Sequence, residues 1–341
     1  MIKQIKIHNY KCIDHAELDL NPMTIVTGLN STGKSTLLQA VLLPESFDTQ
    51  FGITGISQKF EVIQCKNINE DELQIEVCYT NGQKRLSLTA TGRELSLNGA
   101  VNFRYGTNIY YLSANRFIAD TAKAKNPGDN PVSPNGIDVF ATYEVEKSRP
   151  VIDQLVKDDE NGTMLSSQVN YWLNYILEQD IRLSTKTSDT KEYVAISYSS
   201  DGIEDITPSN LGTGVSYLAE TLITCLRAQK NDIILIENPE IHLHPKAQSK
   251  VGEFLTFVVN AGIQVIVETH CEHMINRIRY EVYRHNLLDS NVRIFYKGKD
   301  TEPYNTISIN ANGQFCINGE ENVEFPEGFF DATLKELIEM E

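Results

Sequence analysis

Residues 28–35 read GLNSTGKS, which matches the pattern G-x-x-x-x-G-K-[ST] of a phosphate-binding loop. The glycines let backbone N–H groups and the start of the next helix face phosphate oxygens. Lys34 is expected to reach the β and γ phosphates, and the Ser35 hydroxyl to ligate Mg²⁺. ATP and Mg²⁺ are therefore the expected cofactors, and the predicted nucleotide contacts of this loop are Asn30, Ser31, Thr32, Gly33, Lys34, Ser35 and Thr36.

The segments on either side of the loop predict a strand before it and a helix after it. Residues 23–28 (MTIVTG) form a short apolar run, and in residues 29–43 the leucines recur at helical spacing. Residues 1–20 alternate apolar and polar side chains, as half-buried strands do. We expect residues 1–60 to form the P-loop core.

The next segments predict an antiparallel β region followed by a helical lobe. Turn-forming pairs punctuate the strand-rich residues 60–112, which favours an antiparallel meander. Residues 125–136 hold three prolines and two glycines, so they are expected to form a surface loop. Beyond this loop, apolar residues recur at helical spacing around Trp172. Residues 117–205 are therefore predicted to be an inserted helical lobe.

Strand and helix signals alternate again in residues 206–290. The apolar strands DIILIE (232–237) and IQVIVETH (263–270) are separated by a helix that starts after Pro245. Such alternation indicates a mainly parallel sheet covered on both faces. The whole chain, residues 1–341, is thus predicted to be one α/β P-loop NTPase with an antiparallel β subdomain and an inserted helical lobe. An acidic C-terminal segment, residues 291–341, completes it.

Several motifs outside the loop resemble one family of ATPases. Residues 236–245 read IENPEIHLHP, and residues 267–279 read VETHCEHMINRIR. These strings, with YLSANR at 111–116 and the ending at 309–331, resemble the ATP-binding-cassette (ABC) ATPases of the RecF and overcoming-lysogenization-defect type. Many members of that group serve bacterial anti-phage defence. The resemblance implies an ABC-type ATPase head without a coiled-coil arm or a nuclease domain.

The resemblance also assigns roles to individual residues. Glu237 takes the place of the Walker B acid beside Mg²⁺, and His270 that of the switch histidine that senses the γ-phosphate. His244 lies in the D-loop. Gly212, Thr213 and Gly214 occupy the signature motif, which in this family caps the ATP bound by the other subunit. The implied assembly is a head-to-tail homodimer that encloses ATP and Mg²⁺.

Two positions depart from the family pattern. Gly212 replaces the signature serine, which removes one hydroxyl donor to the γ-phosphate. Asn238 occupies the usual position of the catalytic glutamate, and an amide can orient a water molecule but cannot accept its proton. Either Glu240 polarises the water instead, or hydrolysis is slow. We favour slow hydrolysis.

Two further interpretations concern histidines and an arginine. A possible metal cluster consists of four histidines and two glutamates: His242, His244, His270 and His273 with Glu268 and Glu272. The family resemblance already accounts for His244 and His270. A metal cluster is therefore the less favoured interpretation. For Arg116, a structural role in ion pairs is favoured over a contact with phosphate.

Composition limits the partners of the chain. The formal net charge of −16 argues against a protein whose main task is to coat nucleic acid. Residues 300–341 hold ten acidic residues and one lysine, which suits a solvated face or a docking surface for a basic partner. Six dispersed cysteines are typical of a cytoplasmic protein, and the absence of a long apolar run predicts no membrane partner.

These observations favour an ATPase switch that regulates a separate effector, a nuclease or toxin subunit, in anti-phage defence. The alternative is a RecF-like head that uses ATP to grip duplex DNA, which makes DNA a secondary expected partner. A transporter motor is a weaker interpretation, because it would present an Asp-Glu pair after the Walker B strand.

Overall fold

The computed structural model describes residues 1–48, 53, 55–68, 70–125, 133–157, 159–321, 323, 325 and 326. The chain divides into two units, of which the first comprises residues 1–102 and 266–341 and the second residues 103–265. Residues 126–132 of the predicted loop, and residues 322, 324 and 327–341 of the acidic segment, lie outside the described residues. Among the described residues, no helix is long and apolar enough to cross a membrane.

The first unit contains most of the strands and the helix that follows the glycine loop. Its elements are β1 (Ile2–Tyr10), β2 (Ile13–Asp19), β3 (Met23–Gly28), α1 (Lys34–Asp48), α2 (Phe60–Ile63), β4 (Glu72–Tyr79), β5 (Gly82–Thr89), β6 (Arg93–Gly99), α7 (Glu272–Tyr283), β14 (Val292–Lys297), β15 (Asn305–Ile309), β16 (Phe315–Ile317) and β17 (Glu320–Glu321).

The second unit contains the remaining helices. Its elements are β7 (Ile109–Leu112), β8 (Thr121–Lys123), α3 (Val139–Glu146), α4 (Leu165–Leu177), β9 (Ile181–Thr187), β10 (Tyr193–Ser200), β11 (Ile203–Ile206), α5 (Thr213–Leu226), β12 (Ile233–Glu237) and α6 (Pro245–Asn260). Strand β13 (Gln264–Glu268) begins in the second unit and ends in the first.

An antiparallel sheet in the first unit supports the helix that carries the glycine loop. Its strand order is β2-β1-β4-β5-β6, and the two-residue period of β1 buries Ile2, Ile5 and Ile7 on one face. Helix α1 is fixed to this sheet by a buried ion pair, in which Lys84 Nζ lies 2.7 Å from Glu45 Oε1. The Tyr79 hydroxyl also donates to Glu45, at 3.1 Å. These contacts hold α1, and with it the glycine loop, in place.

The strand that leads into the glycine loop lies in a different layer of the first unit. All six residues of β3 are buried, as expected for a strand covered on both faces. Strand β14 pairs with β3 in parallel, from Val292–Met23 to Lys297–Gly28. Strands β15, β16 and β17 extend β14 in antiparallel fashion. The loop therefore emerges at the carboxyl end of a parallel strand pair, where α/β proteins bind their ligands.

The second unit combines helices with a small antiparallel sheet. Trp172 of α4 is fully buried, and its ring centroid lies 4.9 Å from that of Phe254 and 5.2 Å from that of Phe257, both in α6. The region expected as a helical lobe also contains β9, β10 and β11. Residues 181–187 alternate buried and exposed positions, a two-residue period that a helix cannot use.

Candidate nucleotide-binding site

Two glycines give the loop after β3 its shape. Gly28 has φ +139°, and a Cβ added there would lie 2.1 Å from the carbonyl oxygen of Lys297. Gly33 has φ +100°, and a Cβ there would lie 2.2 Å from Cys12 Sγ. Side chains at either position would clash with packed atoms and would have a rare backbone conformation. The glycines of the motif are therefore required by the close approach of β14 and of the β1–β2 turn.

The polar groups of the loop converge on one point. Lys34 Nζ donates to the carbonyl oxygen of Leu29 at 2.5 Å, and Thr32 Oγ1 donates to the same oxygen at 2.9 Å. Ser35 Oγ donates to Glu268 Oε1 at 3.0 Å. The Tyr304 hydroxyl supports the loop from β15's side by donating to the Gly33 carbonyl oxygen at 2.9 Å. A cation, a hydroxyl and a carboxylate thus meet at the start of α1.

An open cleft of about 380 Å³ lies over the loop. It is lined by the loop residues together with side chains from the β1–β2 turn and from the end of β13: Lys11, Cys12, Asn30, Ser31, Gly33, Lys34, Ser35, Thr36, Glu268 and His270. Six of the seven loop residues predicted to contact nucleotide line the cleft. The predicted switch residue His270 lines it too, and Thr32 is buried beneath it.

Burial and charge set the protonation of two groups in the cleft. Burial lowers the pKa of Lys34, and the nearby Glu268 carboxylate opposes this shift. Burial, and secondarily the charge of Lys34, lowers the pKa of His270 below its usual value of 6.5. His270 is therefore a neutral imidazole at pH 7, able to donate one hydrogen bond to a ligand.

The structure adds Glu268, Lys11, Cys12 and Tyr304 to the residues that sequence reasoning selected. Glu268 lies two residues before His270, and an acid at the end of an apolar strand was a usable signal. Cys12 and Tyr304 had no usable signal, and Lys11 had only the weak signal of a Tyr-Lys pair after the first strand. Lys11 has φ +54° and donates to Gln39 of α1, which ties the β1–β2 turn to the helix.

In the second unit, the predicted Walker B acid is already held by two donors. Glu237 Oε1 accepts from the Tyr111 hydroxyl at 2.6 Å, and Oε2 accepts from the Ala114 backbone N–H at 2.8 Å. Arg116 is buried and donates to the carbonyl oxygens of Glu237 and Asn238 at 3.0 and 2.9 Å. Arg116 therefore has a structural role within this unit, because it clamps the chain where β12 ends.

The residues that follow β12 form a tight turn. Asn238 has φ +45° and His242 has φ +64°, and Glu240 between them is buried. His244 caps α6, since its Nδ1 accepts from the Lys246 backbone N–H at 3.3 Å. The roles predicted for Glu237, Asn238, Glu240 and His244 stay predictions.

The predicted signature motif lies at the start of α5. Gly212 is the N-terminal cap of this helix, and both Gly212 and Thr213 are exposed. Gly214 is buried, and a Cβ there would lie 2.6 Å from the carbonyl oxygen of His242. The first turn of a helix carries backbone N–H groups that point out of its start, and such groups favour an anion.

The donor set of the cleft suits Mg²⁺ and phosphate. Mg²⁺ prefers hydroxyl, carboxylate and phosphate oxygens and is usually held by one or two carboxylates, and Ser35 and Glu268 supply a hydroxyl and a carboxylate. No group of three or more His, Cys, Asp or Glu side chains suited to a metal occurs in the described part of the chain. The histidine cluster considered above is therefore not formed there.

These features define the class: the chain has the P-loop fold of ABC-type ATPase heads. Residues 23–271 match the family described as "AAA domain, putative AbiEii toxin, Type IV TA system", and the chain belongs to this family. The predicted fold class and the family resemblance are thereby confirmed.

Sequence relatives share short segments with the chain. The Old nuclease of Escherichia phage P2 is 31% identical over 117 residues, which are 33% of this chain and 20% of that protein. The OLD nuclease of Thermus scotoductus is 37% identical over 41 residues, or 12% of this chain and 8% of that protein. The matches thus span a fifth or less of the length of these relatives.

Solved structures share the fold over most of the chain. The Smc head bound to the C-winged helix domain of ScpA aligns with a TM-score of 0.58 at 15% identity, and covers 90% of this chain and 98% of that one. The SMC head domain from Thermotoga maritima aligns with a TM-score of 0.50 at 11% identity, and covers 91% and 99%. At these identities the likeness describes the fold alone.

Proposed function

We propose that this protein is an ATP-held switch: it binds ATP and Mg²⁺, dimerises head to tail around them, hydrolyses ATP slowly and regulates a separate effector in anti-phage defence. The observation that carries the proposal is the cleft over the glycine loop. There, Lys34, Ser35 and His270 converge on one open volume. In such an arrangement Lys34 neutralises the terminal phosphates and the neutral His270 donates to the γ-phosphate.

Magnesium would be held by Ser35 of the glycine loop, and the family resemblance gives Glu237 the role of the Walker B acid. When bound, the ion would offset the negative charge of the phosphates. This chain's own residues bind and orient the phosphates. Asn238 orients the attacking water without accepting its proton, which is why slow hydrolysis is expected.

Dimerisation is supported by the exposed signature turn. Gly212 and Thr213 lie exposed at the start of α5. The γ-phosphate of an ATP molecule bound by a second copy would accept hydrogen bonds from this helix start. In the dimer, both copies would contact the same phosphates, so the dimer would be favoured only while ATP is intact. Hydrolysis would remove these contacts and shift the equilibrium towards the monomer, which is how a switch works.

The regulatory role rests on related proteins. Relatives that share segments with this chain are named as nucleases, and the family description mentions a putative toxin. We therefore propose a nuclease or toxin as the effector. The DNA-gripping alternative has less support, since the net charge is −16 and phosphate contacts need clustered cations.

Light scattering with ATPγS and Mg²⁺ tests the switch. Wild type and Glu237→Gln should dimerise with the analogue, whereas Lys34→Ala should stay monomeric. Gly212→Glu should bind the analogue yet stay monomeric, because its carboxylate would repel the γ-thiophosphate of the analogue bound by the partner. Gly212→Ala is the matched control, since it adds a side chain without a charge. Monomers alone in both wild type and Glu237→Gln would refute the proposal.

Phosphate-release assays test slow hydrolysis. If Asn238 sets the rate, Asn238→Ala should lower the residual turnover and Glu240→Gln should leave it largely intact. If Asn238→Ala left turnover unchanged while Glu240→Gln abolished it, Glu240 would be the group that polarises the water.

A further inference from the structure

The carboxylate of Glu268 has no role in the function proposed so far. Glu268 ends β13 and is 4% exposed. Its Oε1 accepts from Ser35 Oγ at 3.0 Å, and the side chain lines the same cleft as Lys34, Thr36 and His270. A buried carboxylate in a cleft meant for phosphates opposes phosphate binding by charge repulsion. The nearby Lys34 offsets part of this charge, and a cation bound to the carboxylate would turn the repulsion into attraction.

The distance between the two oxygens matches the geometry of a magnesium site. Mg²⁺ binds oxygens at 2.0–2.1 Å in octahedral geometry, so two adjacent ligands lie about 2.9 Å apart. Ser35 Oγ and Glu268 Oε1 are 3.0 Å apart. Both oxygens could therefore bind one ion with little movement of either side chain, because the Ser35 hydroxyl keeps its proton, turns it away from Glu268 and coordinates through a lone pair.

Both oxygens are fixed by the backbone that carries them. Ser35 lies in the first turn of α1, whose start is set by the bond from the Thr36 N–H to the Gly33 carbonyl oxygen at 3.0 Å. The segment after Glu268 is held by the bond from the Thr269 N–H to the Val26 carbonyl oxygen of β3, also at 3.0 Å. The pair is thus preorganised on a strand end and a helix start, as a precise metal site requires.

We propose that Glu268 is a direct ligand of the nucleotide-associated Mg²⁺, paired with Ser35 across the glycine loop. This rests on the proposed function, since the ion enters with the nucleotide. Glu268 thereby increases the dependence of nucleotide binding on magnesium: without the ion its charge opposes the phosphates, and with the ion it joins their binding.

Glu268→Gln separates this role from a merely structural one. The amide keeps the size of the side chain and an oxygen that accepts from Ser35, but it loses the charge. With ATPγS present, the variant should need roughly 10- to 100-fold more metal than wild type to reach half-saturation. The metal is Mg²⁺, or Mn²⁺ when binding is followed by electron paramagnetic resonance. In EDTA, the variant should bind ATPγS several-fold more tightly than wild type, measured by calorimetry. Glu17→Gln, at an exposed carboxylate, is the matched control.

The outcomes distinguish the two proposals. If Glu268→Gln weakened ATPγS binding equally with and without metal, or left the metal requirement unchanged, Glu268 would only position Ser35 and the inference would be wrong. If neither wild type nor variant bound ATPγS under any condition, the proposed function itself would fail.

Discussion

The two units hold their motif residues in opposite ways. In the first unit, Lys34, Ser35 and Glu268 face an open cleft and are paired with one another or with the loop itself. In the second, both oxygens of Glu237 accept from donors of that unit, and Arg116 clamps the adjacent carbonyls. In the first unit, a ligand could thus replace the hydrogen bonds that the cleft side chains now make with one another. In the second unit, the hydrogen bonds of Glu237 and Arg116 form a fixed frame, and the start of α5 is exposed.

The largest expected effect of a substitution follows from the open cleft. Lys34→Ala removes the cation that would contact the β and γ phosphates, so ATP affinity should fall by 100-fold or more, about 3 kcal/mol. Calorimetry with ATP and Mg²⁺ measures this, with Lys66→Ala at an exposed lysine as the control. Wild-type affinity in Lys34→Ala would place the nucleotide elsewhere in the molecule.

Replacing a glycine of each unit by alanine compares the tight loop of the first unit with the open helix start of the second. Gly28→Ala should lower the free energy of unfolding by about 3 kcal/mol, because its Cβ meets the Lys297 carbonyl at 2.1 Å. Gly212→Ala should cost less than about 1 kcal/mol, since no atom lies within 4 Å of its Cβ and its φ is −59°. Thermal unfolding followed by circular dichroism compares the two. Equal losses would contradict the contrast between a tight loop and an open helix start.

A buried acid makes the second unit sensitive to pH. Both oxygens of Glu220 are buried without a hydrogen-bond partner in the described part of the chain, and burial raises the pKa of this carboxyl from 4.5 to about 8, with Arg116 opposing the shift. The folded protein therefore keeps a proton that the unfolded chain releases above pH 4.5. Stability is fully present below that pH and is lost as pH rises towards 8.

Replacing Glu220 by glutamine should remove this pH dependence. Between pH 6 and pH 8, wild type should lose about 2 kcal/mol more stability than Glu220→Gln. Urea unfolding followed by fluorescence measures the effect in the right unit, because Trp172 is the one tryptophan of the chain. Glu204→Gln, at an exposed acid, should behave like wild type. Parallel pH profiles for wild type and Glu220→Gln would show that Glu220 is ionised in the folded protein.

Local sequence signals were sufficient for the glycine loop. The pattern GLNSTGKS between an apolar strand and a leucine-rich helix fixed the positions of β3 and α1 and the residues of the cleft floor. Such motifs are readable because a phosphate cradle needs particular residues at fixed spacing. The apolar strands β12 and β13 were readable for the same reason, since fully buried strands leave a continuous apolar run.

Contacts between distant segments left no such signal. Cys12, Tyr304 and Lys297 reach the loop from elements far away in sequence, and neither their type nor their spacing marks them. The pairing of Ser35 with Glu268 joins residues 233 positions apart. The strands at 181–206 were partly assigned to a helical lobe. In β9 only Ile181 and Leu183 of the buried positions are apolar, and β11 is largely exposed, so the sequence carries little of the two-residue period that the structure shows.

The smallest expected effect concerns the frame around Glu237. Tyr111→Phe deletes the hydroxyl that donates to Glu237 Oε1 at 2.6 Å and leaves the ring in place. Hydrogen bonds to charged groups contribute about 1.5–3 kcal/mol, but the Ala114 N–H still serves the other oxygen. We expect a loss of about 1 kcal/mol in urea unfolding followed by Trp172 fluorescence. Tyr193→Phe, at an exposed tyrosine, should change nothing.

ATP affinity is the second measurement for Tyr111→Phe. It decides whether the hydrogen bond to Glu237 matters for phosphate binding or only for stability. If the phosphates are held by the cleft of the first unit, ATP affinity in this variant should stay within about threefold of wild type, well below 1 kcal/mol. A fall in affinity as large as that of Lys34→Ala would mean that the orientation of Glu237 governs phosphate binding. The two hydrogen bonds to the Glu237 carboxylate would then serve to position it for nucleotide binding, and not only to stabilise the fold of its unit.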